Sequence, residues 1–335
     1  MTLDLALPPT AGPVGDAPVR WQRARPVRWA TYVCGVVAGA GLLLVILPIV
    51  SGAPWRSVSA IVVSVPSVAL TGLLVLWLAG LVAHTVTLTA ALPGLSHGRA
   101  LLLSLTGSAV ANVLPLGGVA GVALNYRMTR RWGFTPGAFA SYTVVTNLWD
   151  VVSKLLLPVL VVPLLVLGLP VSAGLRHLLV GAVIALPLVG ALASAVIARP
   201  SVLGRLGDRA ERLRAHVAGV VRSAWQRLSI GMAAYLLLLF ALLATCLSVT
   251  GAGVALPFVL IGFCVERLTT LAGLTPGGLG LVEVGLAGAL LLAPGADPAG
   301  VAAGTLLYRA LTFGLEIPVG GLLLAGWTWR QRVAA

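Results

Sequence analysis

Apolar stretches of about twenty residues or more recur along the chain, at 30–50, 58–84, 138–168, 175–198, 230–249 and 301–327. Further apolar runs lie at 100–116, 254–273 and 281–293. A helix of that length matches the hydrocarbon thickness of a bilayer. The pattern therefore predicts an all-α integral membrane protein, a polytopic helical bundle. Two of these further runs end in breaks. The first is Leu114-Pro115-Leu116-Gly117-Gly118, and the second is Leu274-Thr275-Pro276-Gly277-Gly278-Leu279-Gly280. Proline lacks the amide donor and glycine weakens a helix, so neither stretch continues as one. Inside a bilayer, freed backbone groups survive only within protein or beside a watery cavity. Broken helices of this kind point to the binding region of a transporter.

One segment departs from the apolar pattern. At 199–229, Leu203, Leu206, Ala210, Leu213, Val217, Val220, Ala224 and Leu228 recur every three or four residues. Arg205, Arg209 and Arg212 share another face. This predicts an amphipathic helix on the cytoplasmic side. It either lies on anionic lipid, which would attract each Arg by ~1 kcal/mol, or packs on the bundle.

Composition agrees with a membrane class. The 335 residues are 59% hydrophobic and 9% charged, against ~25% charged in soluble domains. A single embedded domain over 30–329 is expected. A disordered basic tail at 1–29 precedes it and a short tail at 330–335 follows, both cytoplasmic. The run at 30–50 is too long for the apolar core of a signal peptide. Cys34, Cys246 and Cys264 form no C-x-x-C pair, and His84, His97, His177 and His216 lack metal spacing. No metal or other cofactor is expected, and the histidines read as packed or interfacial residues. The net charge of +13 does not imply nucleic acid. If the first break is entered from the cytoplasm and the second from outside, seventeen of the 22 Lys and Arg fall inside and two outside. That asymmetry is the one expected of a cell-membrane protein with both termini cytoplasmic.

The two breaks align with one another. About twenty residues beyond each comes a proline-initiated span, at Thr135-Pro136 and at Asp297-Pro298. These spans carry Thr146-Asn147 and Tyr308-Arg309 at matching depth. With the charge-derived topology, the chain reads as an inverted repeat of two opposed re-entrant helix pairs. The alternative is a chance alignment of Gly-rich apolar segments.

Seven ionisable residues fall in these spans: Asp150, Lys154, Glu266, Arg267, Glu283, Arg309 and Glu316. Each would cost ~3 kcal/mol unpaired at mid-bilayer, so they must face one another or water. Asp150 and Lys154 have helix-pair spacing and can neutralise each other. Glu283 follows the second break, where the helix dipole favours an anion.

The motif Thr275-Pro276-Gly277-Gly278-Leu279-Gly280-Leu281-Val282-Glu283, followed by Leu307-Tyr308-Arg309-Ala310-Leu311-Thr312, resembles the C-terminal signature of the lysylphosphatidylglycerol synthase/flippase transmembrane family. The first break, with Arg127 and Arg130-Arg131, is similar to that family's N-terminal half. The resemblance covers 30–330. It implies a flippase-like fold with a headgroup cavity between two re-entrant pairs. In bifunctional relatives a soluble aminoacyl transferase domain follows; this sequence shows none, so synthase activity is not implied. Many relatives carry Glu-Arg near the place of Thr146-Asn147, and this chain departs from them there.

The leading expectation is a lipid translocase, not an enzyme, whose partner is a phospholipid or a polyprenyl-linked glycolipid. Arg309 and Arg267, helped by Arg127 at the mouth, would bind a phosphate. Glu283, Glu266 and Asp150 would bind a cationic headgroup or gate the arginines, and Tyr308, Asn112 and Asn147 would add neutral hydrogen bonds. The amides after Gly278 would offer a further anion site. The alternatives are a membrane glycosyl or headgroup transferase, a non-transporting partner of a lipid-modifying enzyme, and a small-solute transporter.

Overall fold

A computed structural model describes residues 26–114, 117–168, 171–198, 207–272 and 275–333, and every regular element among them is helical. The first 25 residues of the expected tail, and 334–335, lie outside the described residues. Helix α1 (Pro26–Gly41) passes through a π turn at Leu42–Ile46 into α2 (Leu47–Ser51). A π turn shifts the carbonyl ladder out of register, and the Trp55 indole N–H donates to the Leu44 carbonyl at 3.0 Å. The chain then bends by 94° into α3 (Trp55–Ser64).

The single helix expected over 58–84 is in fact two. Val65 and Pro66 are extended, and α4 (Ser67–Ala91) starts afresh. Proline disfavours the helical conformation of the residue before it, and periodicity alone does not register that. The chain continues through α5 (His97–Val113), α6 (Gly117–Arg131) and α7 (Pro136–Leu156). The expected span 138–168 is likewise interrupted. A 3₁₀ turn at Leu157–Leu160 holds Pro158, and α8 (Val162–Val166) begins around Pro163. Then come α9 (Ala173–Ala198), α10 (Asp208–Val249), α11 (Leu256–Ala272), α12 (Leu281–Leu290), α13 (Pro298–Arg309) and α14 (Glu316–Val333). Among the described residues, five helical stretches are long and apolar enough to cross a membrane, or six if the bent pair counts as one span.

Helix α10 corrects the reading of 199–229 as an amphipathic helix distinct from the span that follows. It runs unbroken for 42 residues, about 63 Å at 1.5 Å per residue. Its N-terminal half does not lay its apolar stripe on lipid. Val217, Val220 and Leu228 are buried in a cluster with Leu88, Leu103, Met128 and Val145. The stripe is covered by protein, while Arg212 on the other face is exposed. Arg205 lies outside the described residues.

Two helix–break–helix hairpins are present. In the first, Gly107 faces Asn125 and Gly121, and Ala111 faces Gly117, so α5 and α6 run antiparallel. In the second, Gly262 faces Leu286 and Leu290, and Thr269 faces Gly285, so α11 and α12 do the same. Each hairpin follows one member of the central pair α4 and α10. That pair is antiparallel too: Gly80 packs on Leu238, and the Thr87 hydroxyl donates to the Leu228 carbonyl. The C-termini of α4 and α10 are therefore at opposite ends of the pair, and the hairpins come off opposite ends of the bundle.

Candidate functional site

The second break is built as a turn that Gly277 makes possible. Gly277 has φ 61°, and a Cβ there would lie 2.0 Å from the Phe313 ring. Pro276–Gly278 forms a 3₁₀ turn, and the Thr275 hydroxyl donates to the Leu279 carbonyl at 2.9 Å. Gly280 ends the turn against α1, where its missing Cβ leaves room for the Gly39 carbonyl. Helix α12 then begins. Its first-turn amides do not offer the open anion site expected after Gly278. The Glu283 carboxylate occupies that position, accepting the Gly280 amide at 2.6 Å on Oε2 and Arg309 Nε at 2.7 Å on Oε1. Arg309 also donates from Nη2 to the Gly277 carbonyl at 2.8 Å, and its guanidinium lies over Phe313, 5.1 Å from the centroid. One side chain from α13 thus fastens the broken tip from two directions. A π turn at Ala310–Gly314 follows Arg309 directly.

The other intramembrane charges are paired as well. Arg267 donates from Nε and Nη2 to the carboxylate of Glu266, its neighbour in sequence, which is fully buried. Lys154 holds Asp150 at 2.7 Å, as their helix spacing suggested. Among the described residues Glu316 is the one member of the seven without an ion pair, and Ser108 lines the same cavity.

Pairing does not close the interior. A cavity of about 170 Å³ is lined by Arg267, Arg309, Thr312 and Glu316 on one side and by Trp77, His84, Ser104, Ser108 and Tyr235 on the other. A second cavity, of about 290 Å³, adjoins it and is lined by Gly118, Asn125, Tyr142, Thr146, Asn147 and Asp150. His84, Ser104 and Ser108 line both and form the neck between them. The His84 ring is stacked on Tyr235, with centroids 4.4 Å apart. It serves as wall and neck.

The structure brings together six of the expected site residues around this pair of cavities or directly behind it. Arg309 and Arg267 line the inner chamber, and Glu283 and Glu266 stand behind them as counter-ions. Asp150 lines the outer cavity with its side chain 43% exposed. Asn147 is beside Asp150, its amide donating to the Thr143 carbonyl at 2.8 Å. Three expectations are corrected. Tyr308 is fully buried, its hydroxyl without a partner among the described residues, and it lines neither cavity. Asn112 and exposed Arg127 also line neither. Pro115 lies outside the described residues. Gly117 is the close contact of the first break, and Gly118 faces open space in the outer cavity.

Sequence reasoning missed His84, Ser104, Ser108 and Trp77. Ser104 and Ser108 are four residues apart on a short apolar helix, which puts two hydroxyls on one face. That was the available signal. Trp77 and His84 are separated by seven residues on α4, again one face, and both read as ordinary packing residues from sequence.

The family model described as the lysylphosphatidylglycerol synthase TM region matches residues 32–320. No curated protein matches.

Proposed function

Because the chain belongs to the lysylphosphatidylglycerol synthase transmembrane family, we propose that it moves a phosphate-bearing lipid headgroup between leaflets of the cell membrane, through the two adjoining cavities. The observation that carries this is how the arginines are held. A guanidinium has five N–H donors. Arg309 uses Nε and one Nη2 donor, and Arg267 uses Nε and one Nη2 donor. Both leave Nη1 without a partner among the described residues, and both line the same cavity. Each cation is thus anchored by its own carboxylate on one edge and has donors left for a ligand on the other. Such an arrangement suits a planar, bidentate hold on phosphate.

The headgroup would travel from Asn147 and Asp150 in the outer cavity, past the hydroxyls of Ser104 and Ser108, to the arginines. The acyl chains would stay in lipid, along an outer surface on which residues such as Val63 and Val68 are exposed. The opposed hairpins support this reading, since broken helices in a bilayer survive within protein or beside a watery cavity, and Gly118 of the first break lines the outer cavity.

Ser104 permits a test that leaves every ion pair intact. In liposomes carrying the purified protein, exchange of a fluorescent phospholipid between leaflets is expected to exceed that of empty vesicles. Ser104→Leu is expected to reduce it at least about tenfold by filling the neck, with the thermal unfolding midpoint nearly unchanged, because the site opens on a cavity rather than packed core. Full exchange with the neck filled would contradict the route.

A further inference from the structure

We propose that Glu316 is the proton-binding site of the inner cavity, and that anion binding to Arg267 and Arg309 is linked to protonation of this one carboxylate. The inference rests on the phosphate-site reading above and adds to it a coupling ion.

Four acids and three bases lie within the spans. Three acids are each within hydrogen-bonding distance of a base, on Lys154, Arg267 and Arg309. These pairs cancel. Glu316 is left over, and it lines the cavity that both arginines also line. With Glu316 ionised, the chamber walls carry one net negative charge. An arriving phosphodiester would then meet a like charge inside a low-dielectric enclosure, where such interactions are strongest. With Glu316 protonated, the walls are neutral and the arginine donors act unopposed.

The setting is built for a neutral carboxyl as readily as for an anion. Glu316 lies within the continuous helical stretch Pro298–Val333, just beyond the π turn at Ala310–Gly314. The Ser108 hydroxyl, which lines the same cavity, is able to donate to a carboxylate or accept from an acid. The remaining groups facing it are few. From α4 come His84 and the Trp77 indole, whose N–H is buried and has no partner among the described residues. From α10 comes Tyr235, from α11 Arg267, and from α13 Arg309. The unpartnered indole N–H is a further donor for a ligand in this chamber. Asp150, on α7, faces the adjoining cavity and already holds Lys154. His84 is the histidine that lines this cavity, so it is the control.

The signs follow from linkage. Loss of the proton from Glu316 weakens anion binding, so affinity falls as pH rises. By reciprocity, bound anion promotes proton uptake. A single linked proton gives a slope approaching about tenfold in affinity per pH unit across the titration.

Calorimetry on the purified full chain tests this, with dihexanoyl phosphatidylglycerol and with glycerophosphoglycerol, the same phosphodiester without acyl chains. For wild type we expect affinity for the short-chain lipid to rise toward that slope as pH falls, with about one proton taken up per lipid bound, read from buffers of different ionisation enthalpy. Glu316→Gln is expected to bind at every pH as tightly as wild type does at low pH, and His84→Gln to keep the wild-type slope. A flat wild-type profile overturns the linkage and leaves the lipid site standing. A Glu316→Gln variant that retains the wild-type slope, or a His84→Gln variant that loses it, overturns the assignment to Glu316. If Glu316→Gln does not fold, the wild-type proton count decides, and zero protons overturns the proposal. Equal proton-linked binding of glycerophosphoglycerol supports Glu316 but counts against a lipid as the ligand. Binding of neither probe overturns both.

Discussion

Replacing Glu283 with Ala is expected to destabilise the protein by about 3–5 kcal/mol, the cost of stranding the partner of a buried pair. Three interactions are lost together. Arg309, only 8% exposed at its side chain, loses its counter-ion. The Gly280 amide loses its acceptor, and the start of α12 loses the carboxylate that caps it. Arg309→Met removes the cation instead and strands Glu283, which is 2% exposed, at a similar cost. The double variant Glu283→Ala/Arg309→Met is expected to cost less than the sum by ~2 kcal/mol or more, since neither charge is then unpaired. Equilibrium unfolding in mixed micelles gives all three numbers. Single-variant losses below ~1 kcal/mol would mean that the pair is solvated as a surface pair is.

The first break supplies the second large effect, and it separates two adjacent glycines. A Cβ on Gly117 would lie 1.7 Å from the Ala111 carbonyl oxygen. That atom is backbone, in the helix that Gly117 packs against, so neither side can yield without opening the hairpin. Gly117→Ala is expected to cost ~3 kcal/mol or more, at or beyond the upper end for overpacked cores. Gly118→Ala meets nothing within 4 Å and is expected to leave stability unchanged or raise it by up to ~1 kcal/mol through helix propensity. Its methyl group would enter the outer cavity. Lipid exchange by Gly118→Ala should therefore fall while the unfolding midpoint holds. Equal stability losses at both glycines would refute the packing described for this tip.

Much of this was legible in the sequence because its causes are local. Proline and glycine break helices wherever they stand, so both breaks could be read. Apolar run length gave the class and most of the spans. Asp150 and Lys154 advertise their pair by spacing. What the sequence could not display depends on the third dimension. Glu266 and Arg267 are consecutive on a helix, where side chains point about 100° apart, and only the length of the arginine lets it reach back. Glu283 looked like a residue waiting for a ligand at a helix start, whereas Arg309, 26 residues later, is already there. The stripe on α10 carries the same periodicity whether it faces lipid or protein; only Val217, Val220 and Leu228 packed on Met128 and Val145 decide. Ser104 and Ser108 are unremarkable in an apolar helix until His84 is placed across from them. Pro66, by contrast, was readable in principle, because a proline inside an apolar run always interrupts it near its own position.

The account depends on water reaching the neck between the two cavities. A chain carrying Cys34→Ser and Ser104→Cys retains two native thiols, Cys246 and Cys264, both fully buried in the core. Labelling with a charged, membrane-impermeant thiol reagent then reports on position 104 alone. The account predicts rapid modification at 104, slowed by dihexanoyl phosphatidylglycerol. A thiol at 104 as inert as Cys246 and Cys264 in the folded protein would show a dry neck and contradict the passage.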